Sequence, residues 1–238
     1  MDQIYTIPVK EAFLACREEP LGACPVCALY RKLEENELDR ILGAAMMEPD
    51  VRIRTNQDGF CDRHFRRMLT RQNRLPLALI LESHLTEVEK LLADGLLGTP
   101  GVKPARQAGE MLSRCYICDR IRETLARMVD TVVLLWERDE EFRRLFGEQK
   151  RFCLPHFISL TDAGRSRLSK KDYGQFYRTL ADTVKTYLQK LQGDVSWFCK
   201  KFDYRYDEEP WYDAKDAIER TVAFLTAEDS GAKEGKRK

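Results

Sequence analysis

The pair Cys24-Pro25-Val26-Cys27 is followed, after thirty-three residues, by Cys61-Asp62-Arg63-His64, and the pair Cys115-Tyr116-Ile117-Cys118, after thirty-four, by Cys153-Leu154-Pro155-His156. No other feature restricts the folding of this chain as much. One C-x2-C element is common, but two copies of a four-ligand array at nearly equal spacing define an internal repeat with two closed ligand sets. Both C-x2-H elements also lie between phenylalanines, Phe60 and Phe65 in one and Phe152 and Phe157 in the other. The spacing predicts that each array closes on itself, with Cys24, Cys27, Cys61 and His64 around one ion and Cys115, Cys118, Cys153 and His156 around a second.

Three thiolates and one imidazole in a closed tetrahedral shell suit zinc, giving two Zn2+ per chain, and such a shell leaves no position for water or substrate. The same donors can hold an iron–sulfur cluster or a redox metal. Cys24-Pro25-Val26-Cys27 also has the form of a thiol–disulfide motif, whose thiolate a helix N-terminus stabilises. The matching C-x2-H elements and the lack of a βαβ pattern favour the metal.

The compartment bears on this choice, since disulfides dominate in oxidising surroundings and metal thiolates in reducing ones. Met1-Asp2-Gln3-Ile4-Tyr5 has neither the basic start nor the apolar stretch of a secretory signal, and the longest uncharged apolar run, Leu75 to Leu81, is too short to span a bilayer. The cytoplasm is the expected address, with no membrane attachment. Forty Lys plus Arg against thirty-nine Asp plus Glu leave a formal charge of +1, so no global field draws the protein to nucleic acid.

The hydrophobic spacing is helical throughout. A short helix is expected over Val9 to Ala15, a long one from Pro25 to about Met47, and another near Cys61. Pro76 starts a helix that buries Leu77, Ile80, Leu81, Leu85, Val88, Leu91 and Leu92 and stops at Gly95. Asp50 to Gly59 reads as an irregular or extended return, which would carry the chain back about 40 Å to close the first ligand set. Glycines and prolines over Gly95 to Gly109 mark a linker. In the second repeat, helices are expected over Tyr116 to Arg138, over Glu140 to Phe146, and from Pro155 to about Gly164. A long one follows, capped by Ser169 with a kink at Gly193, and a last one is capped by Asp213 and ends near Ala227. The expectation is an all-α bundle of two related repeats, 1–102 and 103–229, each pinned by one Cys-Cys-Cys-His site, with a disordered tail over 230–238.

The remaining chemistry-bearing residues have plain readings. Cys16 and Cys199 are expected as buried small hydrophobes, and His84 as an ordinary packed or surface histidine with no nucleophile or carboxylate beside it. Arg63, Arg66, Arg67, Arg71 and Arg74 can form a nucleic-acid face, although the near-zero net charge favours a solvated one. Trp197, Phe198, Phe202, Tyr204, Tyr206, Trp211 and Tyr212 are expected to cover the end of the helical core, with partner binding as the alternative. No phosphate-binding glycine loop, H-E-x-x-H, nucleophile elbow or dinucleotide fingerprint occurs, so no catalytic residue is assigned.

The chain resembles a family of uncharacterised bacterial proteins, frequent in clostridia. The resemblance is carried by Tyr5-Thr-Ile-Pro-Val9, Cys24-Pro-Val-Cys27, Met47-Glu-Pro-Asp-Val51, Gly59-Phe-Cys-Asp-Arg-His-Phe65 and Trp197-Phe-Cys-Lys-Lys-Phe-Asp-Tyr-Arg205. It covers nearly the whole chain and implies a fold and metal ligands without an activity. The resulting expectation is a non-enzymatic, two-zinc helical scaffold for a macromolecular partner, protein rather than nucleic acid.

Overall fold

A computed structural model describes residues 4–93 and 101–227. The stop at Gly95, residues 95–100 of the expected linker and the tail over 230–238 lie outside these residues; the rest of that linker is not irregular but helical from Val102 onward, Gly101 at φ +80 making the turn into the helix. Among the described residues the chain is all-α, with eleven α-helices and no strand. None of these helices is long and apolar enough to cross a membrane.

The helices are α1 (Thr6–Glu18), α2 (Pro25–Ile41), α3 (Pro49–Asp58), α4 (Asp62–Leu69), α5 (Leu75–Ala93) and α6 (Val102–Leu112). They continue as α7 (Tyr116–Arg138), α8 (Glu140–Gly147), α9 (Leu154–Arg167), α10 (Lys170–Lys200) and α11 (Ala217–Thr226). The chain divides into two compact units, one of residues 1–31 with 125–233, the other built around 32–124. The break expected near residue 103 therefore falls inside the second unit. The first, assembled from both ends of the sequence, is termed the outer unit and the second the inner unit, labels that refer to position in the sequence alone; α2 and α7 each contribute residues to both.

In the outer unit an aromatic core ties the N-terminal helix to the C-terminal ones. Phe13 of α1 lies 4.9 Å from Phe142 and 5.9 Å from Phe146 of α8. Phe146 is 5.1 Å from both Phe152 and Phe176, and Trp136 meets Phe176 edge-on at 5.3 Å. All six rings are fully buried, each contributing a large apolar area in a favoured tilted or edge-on geometry. Gly164 permits the close packing of α9 on α10, because a Cβ there would stand 2.8 Å from the Phe176 ring. Ser169 caps α10 as expected, accepting from the Asp172 amide, and α10 runs unbroken through Gly193. Asp216, not Asp213, stands at the start of α11, and its side chain accepts from Arg220 rather than from a helix amide; Asp213 lies 2.6 Å from Lys190.

In the inner unit α3, α5 and α6 pack together, burying Val51, Thr55, Leu77, Ile80 and Pro104. The expected extended return over Asp50 to Gly59 is instead helical from Pro49 to Asp58, with only Gly59 outside the helix. Pro49 ends the preceding 3-10 turn, but its fixed φ also suits the first turn of a new helix, where it lacks no hydrogen bond. Val51 and Thr55, one turn apart, give that helix its buried side. Leu85 and Leu92, expected in the core, are exposed, because beyond Ile80 it is Ser83 and His84 that reach α3, both bonding to Asn56.

Around Trp197 the aromatic cluster does pack on itself. Trp197 meets Tyr206 and Tyr212, and Phe198 meets Phe202 and Trp211, at 5.4 to 5.8 Å. Lys201 fixes the loop beneath, its ammonium donating to the carbonyls of Tyr206, Asp207 and Glu209 at 2.6 to 2.9 Å. Phe202, Tyr204 and Tyr212 nevertheless remain largely exposed. Cys16 is buried as expected, whereas Cys199 is exposed on α10.

Candidate metal centres

All eight sequence-identified donors converge, but in a different grouping from the one the spacing predicts. One cluster is Cys24, Cys27, Cys153 and His156; the other is Cys61, His64, Cys115 and Cys118, and the donor atoms of each lie within 4.8 Å of one another. Each site thus takes its C-x2-C from one repeat and its C-x2-H from the other. The Cys24 site lies within the outer unit and the Cys61 site within the inner one.

Local structure explains the exchange. As a helix, the ten residues of α3 advance about 15 Å, well short of the return needed to bring His64 back to the first C-x2-C. The second contribution is a set of stitches beside each site. Gln149 donates to the Phe13 carbonyl at 3.0 Å, Lys150 to the Glu19 carbonyl at 2.9 Å, and buried Arg151 to the Gly22 carbonyl at 3.3 Å. Three consecutive residues before Cys153 are thereby held against the segment leading to Cys24, and Gly22, at φ +77, makes the turn. In the inner unit the Tyr116 amide donates to the Gly59 carbonyl at 3.0 Å, and Arg40 donates to the Tyr116 hydroxyl at 2.7 Å. This sets Cys61 beside Cys115. Pro25 occupies the position equivalent to Tyr116 and has no amide proton, so the Arg151 side chain supplies the corresponding link in the other site.

The donor geometry is that of a single-ion shell. Zinc bonds of about 2.3 Å to sulfur and about 2.05 Å to nitrogen place tetrahedral sulfurs about 3.8 Å apart and sulfur and nitrogen about 3.6 Å apart. In the Cys61 site Cys61 and Cys118 are 3.8 Å apart, and His64 Nδ1 stands 3.2 Å from Cys61, 3.2 Å from Cys115 and 3.4 Å from Cys118. In the Cys24 site Cys27 and Cys153 are 3.6 Å apart, and His156 Nδ1 stands 3.6, 3.4 and 3.1 Å from Cys24, Cys27 and Cys153. These sulfur separations are far beyond a disulfide bond of about 2.05 Å, and none of the eight cysteines forms a disulfide.

The thiols without a cation obstruct one another's ionisation. Cys115 is held at about 3, chiefly by its contact with Cys118, with His64 contributing, and Cys118 is pushed up in turn by Cys115. Burial works against ionisation of Cys24, yet Cys153, Cys27 and His156 hold it well below the ordinary thiol range. Cys153 is pushed up to about 12, first by Cys24, and Cys27 is raised by Cys153 and Cys24. These thiols oppose one another through their mutual hydrogen bonds first and their like charge after, and a divalent cation at the centre would remove that conflict. The residues present therefore fit a metal ion.

One residue absent from the sequence reading touches the Cys61 site directly. Glu34, fully buried on α2, accepts from His64 Nε2 at 3.1 Å and from Arg63 at 2.7 Å, and pairs with Arg67. Glu35 pairs with Arg67 and Arg71, and Asp39 accepts from Arg71 at 3.2 Å. Arg66 pairs with Asp62 at 2.7 Å. The arginine stripe around the first C-x2-H is thus largely matched by acidic partners. His84 is a packing residue, its Nδ1 donating to the Asn56 carbonyl at 3.1 Å.

No curated protein and no solved structure is significantly similar to the chain. The sequence profile of one family, described as of unknown function, matches residues 1–232. With helices, both ligand clusters and nearly all of its length inside that match, the chain belongs to the family of unknown function DUF6062.

Proposed function

We propose that this protein is a non-enzymatic zinc protein whose two Cys-Cys-Cys-His sites are structural, and whose helical surface serves as a scaffold for a protein partner. The observation that carries the reading is the pair of four-donor shells with edges close to those of a zinc tetrahedron. Donors within 4.8 Å of one another enclose one ion and leave no room among them for the inorganic sulfides of a cluster. Four protein ligands complete the zinc preference, so the metal holds the fold and offers no open position for water activation. A cavity of about 570 Å³ lined by Leu21, Thr179, Thr183 and Lys190 contains none of the eight donors.

A protein partner is favoured over nucleic acid because four of the five arginines that suggested a phosphate-binding face, Arg63, Arg66, Arg67 and Arg71, are engaged by Glu34, Glu35, Asp39 and Asp62. The exposed rings of Phe202, Tyr204 and Tyr212 provide amphipathic contact area of the kind protein interfaces use. Thiolate ligation calls for a reducing compartment, in keeping with the expected cytoplasmic address. Elemental analysis of natively purified protein tests the reading. The expected result is about two zinc ions per chain and a colourless preparation; iron with charge-transfer absorbance overturns it in favour of a redox site. A native pull-down is expected to return protein and no nucleic acid.

A further inference from the structure

The two sites share a ligand set and differ in what stands behind it. Ten residues after the first cysteine of each C-x2-C stand Glu34 in the first repeat and Leu125 in the second. Two and six residues after the cysteine of each C-x2-H stand Arg63 and Arg67 in the first and Pro155 and Ser159 in the second. The three charged residues that meet behind His64 therefore correspond to leucine, proline and serine in the other copy. The difference lies in the sequence, not only in the packing.

Burying a carboxylate is costly unless it is paired and hydrogen-bonded, and Glu34 is fully buried. His64 Nδ1 faces three sulfurs, so its proton is on Nε2 and is donated to Glu34 Oε1 at 3.1 Å. Arg63 and Arg67 lie against the carboxylate and offset its charge. His156, by contrast, is only partly buried, and no carboxylate accepts from its ring among the described residues.

We infer that Glu34 is a positioning residue for the Cys61 site and makes the two sites unequal, the Cys61 site holding its ion more tightly than the Cys24 site. The inference rests on the metal reading above. Accepting the Nε2 proton fixes the tautomer and the ring plane of His64 and strengthens Nδ1 as a donor, an arrangement worth about 10–100-fold in metal affinity.

The test uses the full-length chain loaded with 113Cd in place of zinc and titrated with EDTA. Two resonances are expected, and Cys61→Ser, which deletes one, assigns them. In the wild type the Cys61-site resonance persists to the higher chelator concentration. In Glu34→Gln, and in Glu34→Leu, which copies the residue at the equivalent position of the second repeat, that resonance shifts and its ion is lost at about 10–100-fold lower EDTA, while the other is unmoved. Equal release of both ions from the wild type, or wild-type release from the variants, overturns the inference. Weakening of both sites together assigns Glu34 a purely structural role and overturns it as well. A wild-type protein that takes up no ion at either quartet refutes the metal reading itself, a separate result.

Discussion

The Cys24 and Cys61 sites are written in the same residue pattern and supported by different means. In the Cys24 site three sulfurs are buried and the imidazole is partly exposed, and the neighbouring chain is held by Gln149, Lys150 and Arg151 reaching backbone carbonyls. In the Cys61 site the imidazole is buried against Glu34, two sulfurs are partly exposed, and the chain is held by a backbone hydrogen bond from Tyr116 to Gly59. The two copies of the pattern share the same four donor types at nearly equal spacing. They do not share their surroundings, since several side chains can satisfy the same need to bring two chain segments together.

The largest effect that probes this contrast comes from the ligands. Cys153→Ser is expected to release one ion and unfold the outer unit, because metal binding at such a site is itself folding free energy. Cys61→Ser is expected to do the same to the inner unit. Thiol labelling of the metal-loaded variants checks the grouping: Cys61→Ser should expose Cys115 and Cys118 while Cys24 and Cys27 stay protected. Labelling of Cys24 and Cys27 in Cys61→Ser would restore the grouping within each repeat.

Next are the stitches. Arg151→Ala is expected to lower stability by about 1–3 kcal/mol, because it leaves the Gly22 carbonyl and the Tyr187 hydroxyl without their buried donor. In the inner unit Gly59→Ala should cost a similar amount, about 1–3 kcal/mol. Its φ of +57 with ψ of −158 belongs to a region that glycine alone occupies readily, and a Cβ would sit 3.3 Å from the His84 ring. Thermal denaturation of holo-protein checks both, and a neutral Gly59→Ala would show that the turn is not fixed.

The smallest effect is away from the metals. Asp139 caps α8, accepting from the Glu141 and Phe142 amides at 3.0 Å, and lies 2.6 Å from Lys10. Lys10 first, and the Phe142 amide next, hold its carboxyl below the usual range. A lowered carboxyl pKa contributes stability above the unfolded value of about 3.9, and that contribution fades as pH falls through the folded one. Asp139→Ala is expected to cost about 1 kcal/mol at neutral pH, with the gap to wild type closing below about pH 4. A gap that is constant from pH 7 to pH 3 counts against the charged cap.

Much of this architecture is legible in the residues. The Tyr116–Arg138 helix has a long, regular apolar face, so its bounds follow from periodicity and a C-x2-C start. Ser169 announces α10 because a serine side chain can satisfy a free amide at a helix start. The residues 50–59 are not legible in this way: with only Val51 and Thr55 buried, a short helix and an extended return have the same sparse apolar signal. Glu34 is hidden for a related reason. On a helix crowded with acidic residues, a buried carboxylate and a solvated one look alike until the surrounding chain is in place.

Sequence alone determined the all-α class, the eight donors and the existence of two ligand sets, because periodicity and ligand chemistry act over a few residues. Which C-x2-H meets which C-x2-C was decided by tertiary structure. The two groupings use the same donors with nearly equal spacers, so nothing local separates them. Only the helical course of residues 49–58 and the contacts of Arg151 and Tyr116, which link segments far apart in the chain, select one.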